Sequence, residues 1–163
     1  MLPLAGSPRL TMLGREVRLG SGFADLLAVE STGRLVVIEV KLAGNAESRR
    51  AVVAQVLSYA GYLQGLDAEQ LESQILAGHL TSGGSVLAAV QARSLAEGGF
   101  RLVIVLDSAP DELVQVVGYL QSVTDKIDID LATVAAYNVG DRRSWSRSGL
   151  SRAAAPASCP TPR

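Results

Sequence analysis

The chain has 163 residues, of which 48% are hydrophobic and 19% charged, a composition that fits one globular domain and excludes a disordered chain. Residues 1–137 hold 10 Lys and Arg against 15 Asp and Glu, whereas residues 138–163 hold 5 Arg against 1 Asp. The body of the protein is therefore not a nucleic-acid binder by bulk charge, and any contact with phosphate has to be local.

Other counts narrow the class of protein further. We find no run of 18 apolar residues and no signal peptide, so we expect a cytoplasmic protein that makes no membrane contact. A single cysteine, Cys159, excludes an intramolecular disulfide, and the single histidine, His79, has no metal-ligand partner by spacing. Aromatic residues make up only 4%, so a platform that stacks successive bases is not predicted.

The first part of the chain is predicted to form a three-stranded antiparallel meander. Residues 1–11 form a lead-in, and Met12–Leu19 alternates apolar and charged side chains as a strand does. Gly20-Ser21-Gly22 is a turn, after which Phe23–Lys41 is predicted to form two strands. The loop that joins them, Ser31-Thr32-Gly33, ends in a glycine that can adopt the positive φ a three-residue hairpin loop requires.

Three charged residues, Asp25, Glu39 and Lys41, interrupt the otherwise apolar strands of this meander. Alternation puts Glu39 and Lys41 on one face, and counting back from the loop puts Asp25 opposite Glu39. Two carboxylates about 4 Å apart repel by about 4 kcal/mol at an effective dielectric of ~20, and Mg²⁺ or Mn²⁺ would offset that repulsion. The alternative is a metal-free salt bridge between Lys41 and one carboxylate, which leaves the second carboxylate without a role.

The length of each turn decides which residues face each other. The three-residue loop of the second hairpin places Glu30 opposite Arg34. For the first hairpin two registers stay open, because a two-residue turn places Glu16 opposite Asp25 and a three-residue turn places Val17 there.

The rest of the chain is predicted to alternate helices and strands. Ala46–Leu63 carries an apolar stripe at helical spacing, with Gln55 and Tyr59 on one face. Because a packed Gln55 needs hydrogen-bond partners, it either ties the helix to the sheet or lies over the carboxylates and shapes a site.

The later predicted helices are Asp67–Leu80, with Asp67 as its N-cap, Val86–Ala96 and Pro110–Ser122. The later predicted strands are Phe100–Leu106 and Ile127–Tyr137. Residues 138–163 are rich in Ser, Arg, Ala and Pro and are predicted to form a disordered tail. The folded domain is therefore predicted over residues 12–137. Its class is α/β, with a central mixed β-sheet, an antiparallel meander plus later parallel strands, flanked by helices.

The charged residues and the helix after them resemble the PD-(D/E)xK nuclease superfamily, which has the restriction-endonuclease-like fold. The match is Asp25, then thirteen residues, then Glu39-Val40-Lys41, followed by Gln55 and Tyr59 as the QxxxY element of the RecB-like branch. The surrounding strands are also similar to the catalytic domain of the mismatch and flap endonucleases of archaea and actinobacteria. The resemblance is close up to the first helix and looser over the later strand, helix and strand.

This resemblance implies a metal-dependent nuclease that hydrolyses DNA phosphodiester bonds. Asp25 and Glu39 would bind Mg²⁺ (or Mn²⁺), with the Val40 carbonyl completing the protein's ligands. Lys41 would orient or help deprotonate the attacking water and would stabilise charge on the phosphate. Small nucleases of this type often pair to cut two strands, so the resemblance also admits a homodimer.

Three further residues would support the site in a protein of this family. Gln55 would support the carboxylates from the helix, and Tyr59 would support packing or contact DNA. Members usually carry an upstream helix that donates a further acidic residue, and Glu16 could substitute for that residue in the first of its two registers. Two other hypotheses stay open: a catalytically inactive nuclease-like domain that binds nucleic acid or a partner, and a metal-free α/β scaffold with a buried ion pair.

Overall fold

The computed structural model describes residues 8–42, 46–77, 95, 97–139 and 142–151. Their strands are β1 Leu10–Leu19, β2 Gly22–Glu30, β3 Leu35–Lys41, β4 Arg101–Leu106, β5 Asp128–Val139 and β6 Arg142–Ser151. Their helices are α1 Ala46–Gln64, α2 Ala68–Gln70, which runs directly into a π-helix at Leu71–Leu76, and α3 Asp111–Val123.

All six of these strands lie in one mixed sheet, in the order in which they occur along the chain. β1, β2 and β3 form an antiparallel meander, β3, β4 and β5 are parallel, and β6 is antiparallel to β5. Parallel neighbours need long crossover connections, and here those connections carry α1 and α3. The predicted α/β class with a mixed sheet flanked by helices is therefore confirmed.

The two faces of the sheet differ in the size of their apolar clusters. Along β3, Leu35 and Val37 belong to the main core, whereas Val36 between them belongs to a small cluster on the opposite face. Both α1 and α3 contribute to the main core, so both lie on the same face as Leu35. The predicted apolar stripe of α1 is buried there: Val52, Val56, Tyr59 and Leu63. Burial of each such side chain is worth about 1.5–3 kcal/mol, which is enough to hold the helix against the strands.

The hairpin between β2 and β3 has the predicted register. Leu26 pairs with Ile38, and the backbone N–H of Glu30 donates to the carbonyl of Arg34 at 2.9 Å. Gly33 has a φ of 85°, as the loop requires. Counting from the turn therefore placed this hairpin correctly.

The hairpin between β1 and β2 has the shorter of its two predicted turns. Leu19 pairs with Gly22, which leaves Gly20 and Ser21 as a two-residue turn. Gly20 has a φ of 61°, a conformation typical of such turns, and a Cβ added there would lie 3.3 Å from the ring of Tyr62. β1 also begins at Leu10, inside the predicted lead-in, and residues 1–7 lie outside the described part of the chain.

The prediction of a disordered tail from residue 138 is wrong for residues 142–151. β5 continues to Val139, and β6 pairs with it from Val139↔Arg142 to Leu131↔Ser151. An edge strand is held by backbone hydrogen bonds to one neighbour, so it does not need the apolar alternation by which strands are recognised. Residues 152–163 of the predicted tail lie outside the described residues.

The helix predicted at Asp67–Leu80 is described as α2 and the π-helix that follows. Asp67 was predicted as its N-cap, and its Oδ1 accepts the backbone N–H of Gln70 at 2.7 Å. In turn, Gln70 Oε1 accepts a hydrogen bond from the backbone N–H of Asp67 at 3.0 Å, which completes a capping box. The helix predicted at Val86–Ala96 lies outside the described residues except for Leu95.

Among the described residues, no helix combines the length and the apolar character needed to cross a membrane.

A partly buried ion network joins the β2–β3 hairpin to β4 and β5. Glu30, only 2% exposed, accepts hydrogen bonds through Oε1 from Arg101 at 3.0 Å and from Arg34 at 3.3 Å. Arg101 also donates to Asp130 at 2.6 Å, and Arg34 donates to Asp128. Burial alone would raise the pKa of Glu30, but the hydrogen bonds from Arg34 and Arg101 outweigh it, so this pKa lies below its ordinary value. The network clamps the ends of four strands together.

Candidate active site

The pairing of β2 with β3 stops just before the predicted carboxylates. Its last paired residues are Leu26 and Ile38, one step short of Asp25 and Glu39. Beyond that point, Asp25 Oδ2 accepts a hydrogen bond from the backbone N–H of Val40 at 2.7 Å. A side-chain carboxylate thus binds a backbone amide of the neighbouring strand where a regular ladder would use a backbone carbonyl.

Glu39 is the buried centre of the candidate site, at 1% exposure. Its Oε1 accepts two hydrogen bonds, from Gln55 Nε2 and from Lys41 Nζ, both at 2.8 Å. Its Oε2 is buried and has no hydrogen-bond partner among the described residues. A buried acceptor left unsatisfied costs about 1–3 kcal/mol, and more when the group is charged, so this oxygen is a candidate ligand atom.

Two residues of α1 tie the helix to the two site strands. Gln55 Nε2 donates one hydrogen to Glu39 on β3 and the other to Tyr59 Oη, at 2.7 Å. Tyr59 Oη in turn donates to the backbone carbonyl of Phe23 on β2, at 2.9 Å. The predicted QxxxY pair therefore forms a continuous chain of hydrogen bonds from β2 to the Glu39 carboxylate. The contact of Gln55 with Glu39 ties the helix to the sheet, and the role of Gln55 in shaping a site stays a prediction.

Gly22 allows the Tyr59 ring to approach β2 closely. A Cβ added at Gly22 would lie 2.7 Å from Tyr59 Oη and 2.9 Å from Cε1. These distances are shorter than real contacts of a Cβ atom, so the hydroxyl group occupies the space of the missing side chain. The sequence predicts only a turn here, and the close approach to a helix 37 residues further along the chain becomes visible in the structure alone.

Lys41 supplies the positive charge of the site. Its hydrogen bond with Glu39 raises its pKa, burial opposes this, and the negative charges of Glu39 and Asp25 raise the pKa further. Lys41 is therefore an ammonium ion at neutral pH. About a third of its side chain is exposed, so the amino group lies between the buried carboxylate and solvent. The formal charges of Asp25, Glu39 and Lys41 leave a net negative site that favours a cation.

Glu16 lies opposite Asp25, as predicted for the two-residue turn, but its side chain is exposed. Its neighbours pair as Arg15↔Leu26 and Val17↔Ala24, which places Glu16 across from Asp25. It is also the only non-glycine residue with positive φ in the described part of the chain, at 49°. Such a conformation costs about 1–2 kcal/mol in a residue with a Cβ atom. The two-residue turn thus places Glu16 opposite Asp25, and the backbone of Glu16 is strained at this position.

The donor set suits a hard divalent cation. No group of three or more His, Cys, Asp or Glu side chains that could hold a metal ion occurs within the described ranges. The site instead offers the carboxylates of Asp25 and Glu39 and the backbone of Val40, all oxygen donors of the kind that Mg²⁺ and Mn²⁺ prefer. The orphaned Glu39 Oε2 fits such an ion, because a cation would satisfy the oxygen that no described residue satisfies.

Comparisons of the chain with protein-family models, with curated proteins and with solved structures gave no match. The geometry and the chemistry of the site are therefore the basis for proposing a function.

Proposed function

We propose that the protein is a metal-dependent nuclease of the restriction-endonuclease-like fold that hydrolyses DNA phosphodiester bonds. The observation that carries the proposal is Glu39: a carboxylate buried to 1% exposure, anchored through Oε1 and left without a partner at Oε2. Folds rarely keep such a group without a functional reason, because the burial of an incompletely paired carboxylate is costly.

Three groups would hold the cation: the carboxylates of Asp25 and Glu39 and the carbonyl of Val40. In an antiparallel ladder the N–H and C=O of one residue point to the same neighbouring strand. The N–H of Val40 bonds Asp25 on β2, and the paired ladder has already ended, so the Val40 carbonyl is directed to the side of Asp25. When bound, the cation would polarise a phosphoryl oxygen and lower the pKa of a coordinated water.

The chain's own residues would position the reactants around this ion. Lys41, a half-buried ammonium group held beside Glu39, binds a phosphate oxygen and stabilises the charge that develops on it. Gln55 fixes the rotamer of Glu39, and Tyr59 fixes Gln55 through its hydroxyl group. A carboxylate oriented in this way needs no rearrangement when the substrate arrives.

The order of the elements supports the same proposal. An antiparallel meander delivers Asp25 and the Glu39-Val40-Lys41 segment, a helix with the QxxxY pair packs over them, and two parallel strands extend the sheet. This is the arrangement implied by the resemblance to PD-(D/E)xK nucleases. The proposed partner is DNA, and the proposed cofactor is Mg²⁺ or Mn²⁺.

A cleavage assay tests the proposal. Plasmid, linear duplex and single-stranded DNA are incubated with the protein in Mg²⁺, Mn²⁺ or EDTA. We expect cation-dependent cleavage that falls by roughly 10²–10³-fold in Asp25→Asn and in Lys41→Ala. Asp125→Asn, which neutralises an exposed carboxylate outside the site, is the matched control and should cleave at the wild-type rate. Cleavage that survives both site substitutions, or no cleavage of any of these substrates, would overturn the proposal.

The second candidate is a catalytically inactive nuclease-like domain that binds nucleic acid. It is favoured by the small donor set, since the described residues provide no third acidic or histidine side chain close enough to share a metal ion. This candidate predicts DNA binding that is the same in Mg²⁺ and EDTA and that is unchanged by Asp25→Asn. The first candidate predicts tighter binding with the cation, and loss of that difference in Asp25→Asn.

A further inference from the structure

The hairpin of β5 and β6 extends beyond the neighbouring parallel strands. The pairing of β4 with β5 ends at Leu106↔Thr133, whereas β5 continues to Val139 and, among the described residues, pairs there with β6 alone. The exposure of β5 rises along the same course, because Thr133 is half-buried and Ala135 is exposed. A strand rises about 3.3 Å per residue, so Val134–Val139 and the paired part of β6 form a two-stranded arm about 20 Å long.

This arm, residues 134–139 and 142–147, concentrates positive charge. β6 contains Arg142, Arg143 and Arg147 and neither Asp nor Glu, and the paired segment of β5 is uncharged. Residues 1–137, in contrast, hold 10 Lys and Arg against 15 Asp and Glu. Charged residues on an edge strand also prevent pairing with other chains, but that purpose does not require them to lie beyond the end of the neighbouring strands. The basic residues are therefore gathered on the part of the sheet that extends from an acidic body.

The arm begins at the end of the sheet where the candidate site lies. β3, β4 and β5 are parallel, and their pairing places Lys41, Leu106 and Thr133 level with one another. Neighbouring strands lie about 4.8 Å apart, so two strand spacings of about 10 Å in total separate the base of the arm from the backbone of Lys41. The arm extends from there away from the sheet, in the direction in which β3 ends.

The arginines are divided between the two faces of the arm. Arg142 pairs with Val139, an even number of residues after Thr133, so Arg142 lies on the face that bears the candidate site. Arg143 and Arg147 lie on the other face, because each is an odd number of residues from Arg142. A flat ligand would contact one face only. The major groove of DNA admits a two-stranded β-ribbon and has a phosphate strand on each side, so it can use arginines on both faces.

Resting on the proposed function, we infer that the arm lies in the major groove of duplex DNA, where Arg142, Arg143 and Arg147 bind phosphates away from the bond that is cleaved. Each strand of DNA has a phosphate about every 3.4 Å along the axis. The arm extends from about 10 Å to about 22 Å from Lys41, so its contacts fall about 3–7 base pairs from the cleaved phosphate. A guanidinium group offers a fork of donors that matches a phosphate group.

Binding measurements test this inference separately from cleavage. The probe is a fluorescein-labelled oligonucleotide, used as a full duplex and as a single strand, with Ca²⁺ in place of Mg²⁺. Affinity is read by anisotropy at several salt concentrations. The alanine arm variant and the lysine arm variant replace all three arginines of the arm with Ala or with Lys. The matched control loses the same charge at the opposite edge of the sheet, through alanine at three exposed arginines in or next to β1: Arg9, Arg15 and Arg18.

We expect the alanine arm variant to lower the slope of log affinity against log salt by about 2.7, which is about 0.9 for each lost phosphate contact. At about 0.1 M salt, the same loss should weaken duplex binding by roughly 10²–10³-fold. The lysine arm variant should keep a slope near that of the wild type, because lysine also binds phosphate. The β1 control should keep the wild-type slope, and the wild type should bind the single strand more weakly than the duplex.

A second measurement observes the arm directly. Trp145 is the only tryptophan of the chain, and it lies on β6 between Arg143 and Arg147. Its fluorescence should therefore change when duplex DNA binds to the wild type or to the β1 control.

An unchanged slope in the alanine arm variant, an equal loss of slope in the β1 control or in the lysine arm variant, or unchanged Trp145 fluorescence would overturn the inference. So would single-strand binding as tight as duplex binding, or no DNA binding by the wild type. The two proposals fail in different assays. If the alanine arm variant binds normally while cleavage still depends on Asp25, the DNA contact falls and the nuclease stands. If that variant loses duplex binding while Asp25→Asn cleaves normally, the proposed active site falls and the DNA contact stands.

Discussion

Replacement of Gly22 by alanine should disturb the candidate site through Tyr59. The added Cβ would lie 2.7 Å from Tyr59 Oη and 2.9 Å from Cε1, whereas relaxed carbon contacts begin near 3.5 Å, so the ring has to move by about 0.5–1 Å. Tyr59 is only 2% exposed, and therefore the ring moves against packed neighbours rather than into solvent. Such overpacking costs about 1–3 kcal/mol.

The same movement weakens two hydrogen bonds of the Tyr59 hydroxyl, those with Phe23 and Gln55. Each is worth about 0.5–1.5 kcal/mol, so we expect Gly22→Ala to lower the free energy of unfolding by about 2–4 kcal/mol in total. Tyr59→Phe alone should cost about 1–2 kcal/mol, because it removes the hydroxyl but keeps the ring. In the double variant the atom nearest to the new methyl group is gone. The double variant should therefore be more stable than the sum of the single changes predicts, by about 1 kcal/mol.

Urea unfolding followed by circular dichroism measures all three variants and the wild type. The matched control is Gly61→Ala, because a Cβ at Gly61 on α1 meets no atom within 4 Å. That substitution should stabilise the protein by about 0.5–1 kcal/mol, as expected for Gly to Ala inside a helix. If the energies of Gly22→Ala and Tyr59→Phe simply add, or if Gly22→Ala behaves like Gly61→Ala, the close packing of Tyr59 on β2 is refuted.

Three further predictions concern single carboxylates. Mg²⁺ at ten times its dissociation constant should stabilise the wild type by about 1.4 kcal/mol in thermal melts, and Glu39→Gln should lose this gain. Equal shifts of the melting temperature in both proteins would contradict a cation at Glu39. Because the folded-state pKa of Glu30 lies below its ordinary 4.5, its stabilisation is complete at neutral pH and is lost as the pH falls from about that value through the folded pKa. Urea unfolding across this pH range should show a smaller decline in the free energy of unfolding for Glu30→Gln than for the wild type. At neutral pH the substitution itself should cost about 3 kcal/mol. An equal decline in both proteins would exclude this role of Glu30. Glu16→Gly should leave the free energy of unfolding unchanged or raise it by about 1 kcal/mol, whereas Glu16→Val should lower it. The reason is that only glycine adopts the observed positive φ without strain. Equal free energies of unfolding for the two variants would contradict the left-handed backbone at this position.

Much of the local structure could be predicted because its causes are local. The three-residue loop before Arg34 determines the register of β2 and β3, and the spacing of apolar residues determines which stripe of α1 is buried. Asp67 caps its helix because a short carboxylate reaches the backbone three residues ahead. In each case the interacting groups are close in sequence, or are related by a regular repeat.

The elements that sequence analysis missed depend on groups that are distant in sequence. The strand at Arg142–Ser151 is held by the backbone of β5, so its side-chain pattern carried little signal. The ion network around Glu30 depends on Arg101, 71 residues further along the chain, which only the pairing of parallel strands brings near. The π-helix after α2 likewise has no sequence rule that predicts it.

The candidate site combines both kinds of information. Residue type and alternation alone selected Asp25, Glu39 and Lys41, because charges in apolar strands are costly and a strand repeats every two residues. Tertiary packing decided that Asp25 binds the Val40 amide and that Glu39 keeps one oxygen without a partner among the described residues. Hydrogen bonding and burial depend on what surrounds an atom in space, and a sequence pattern specifies only the direction in which a side chain points.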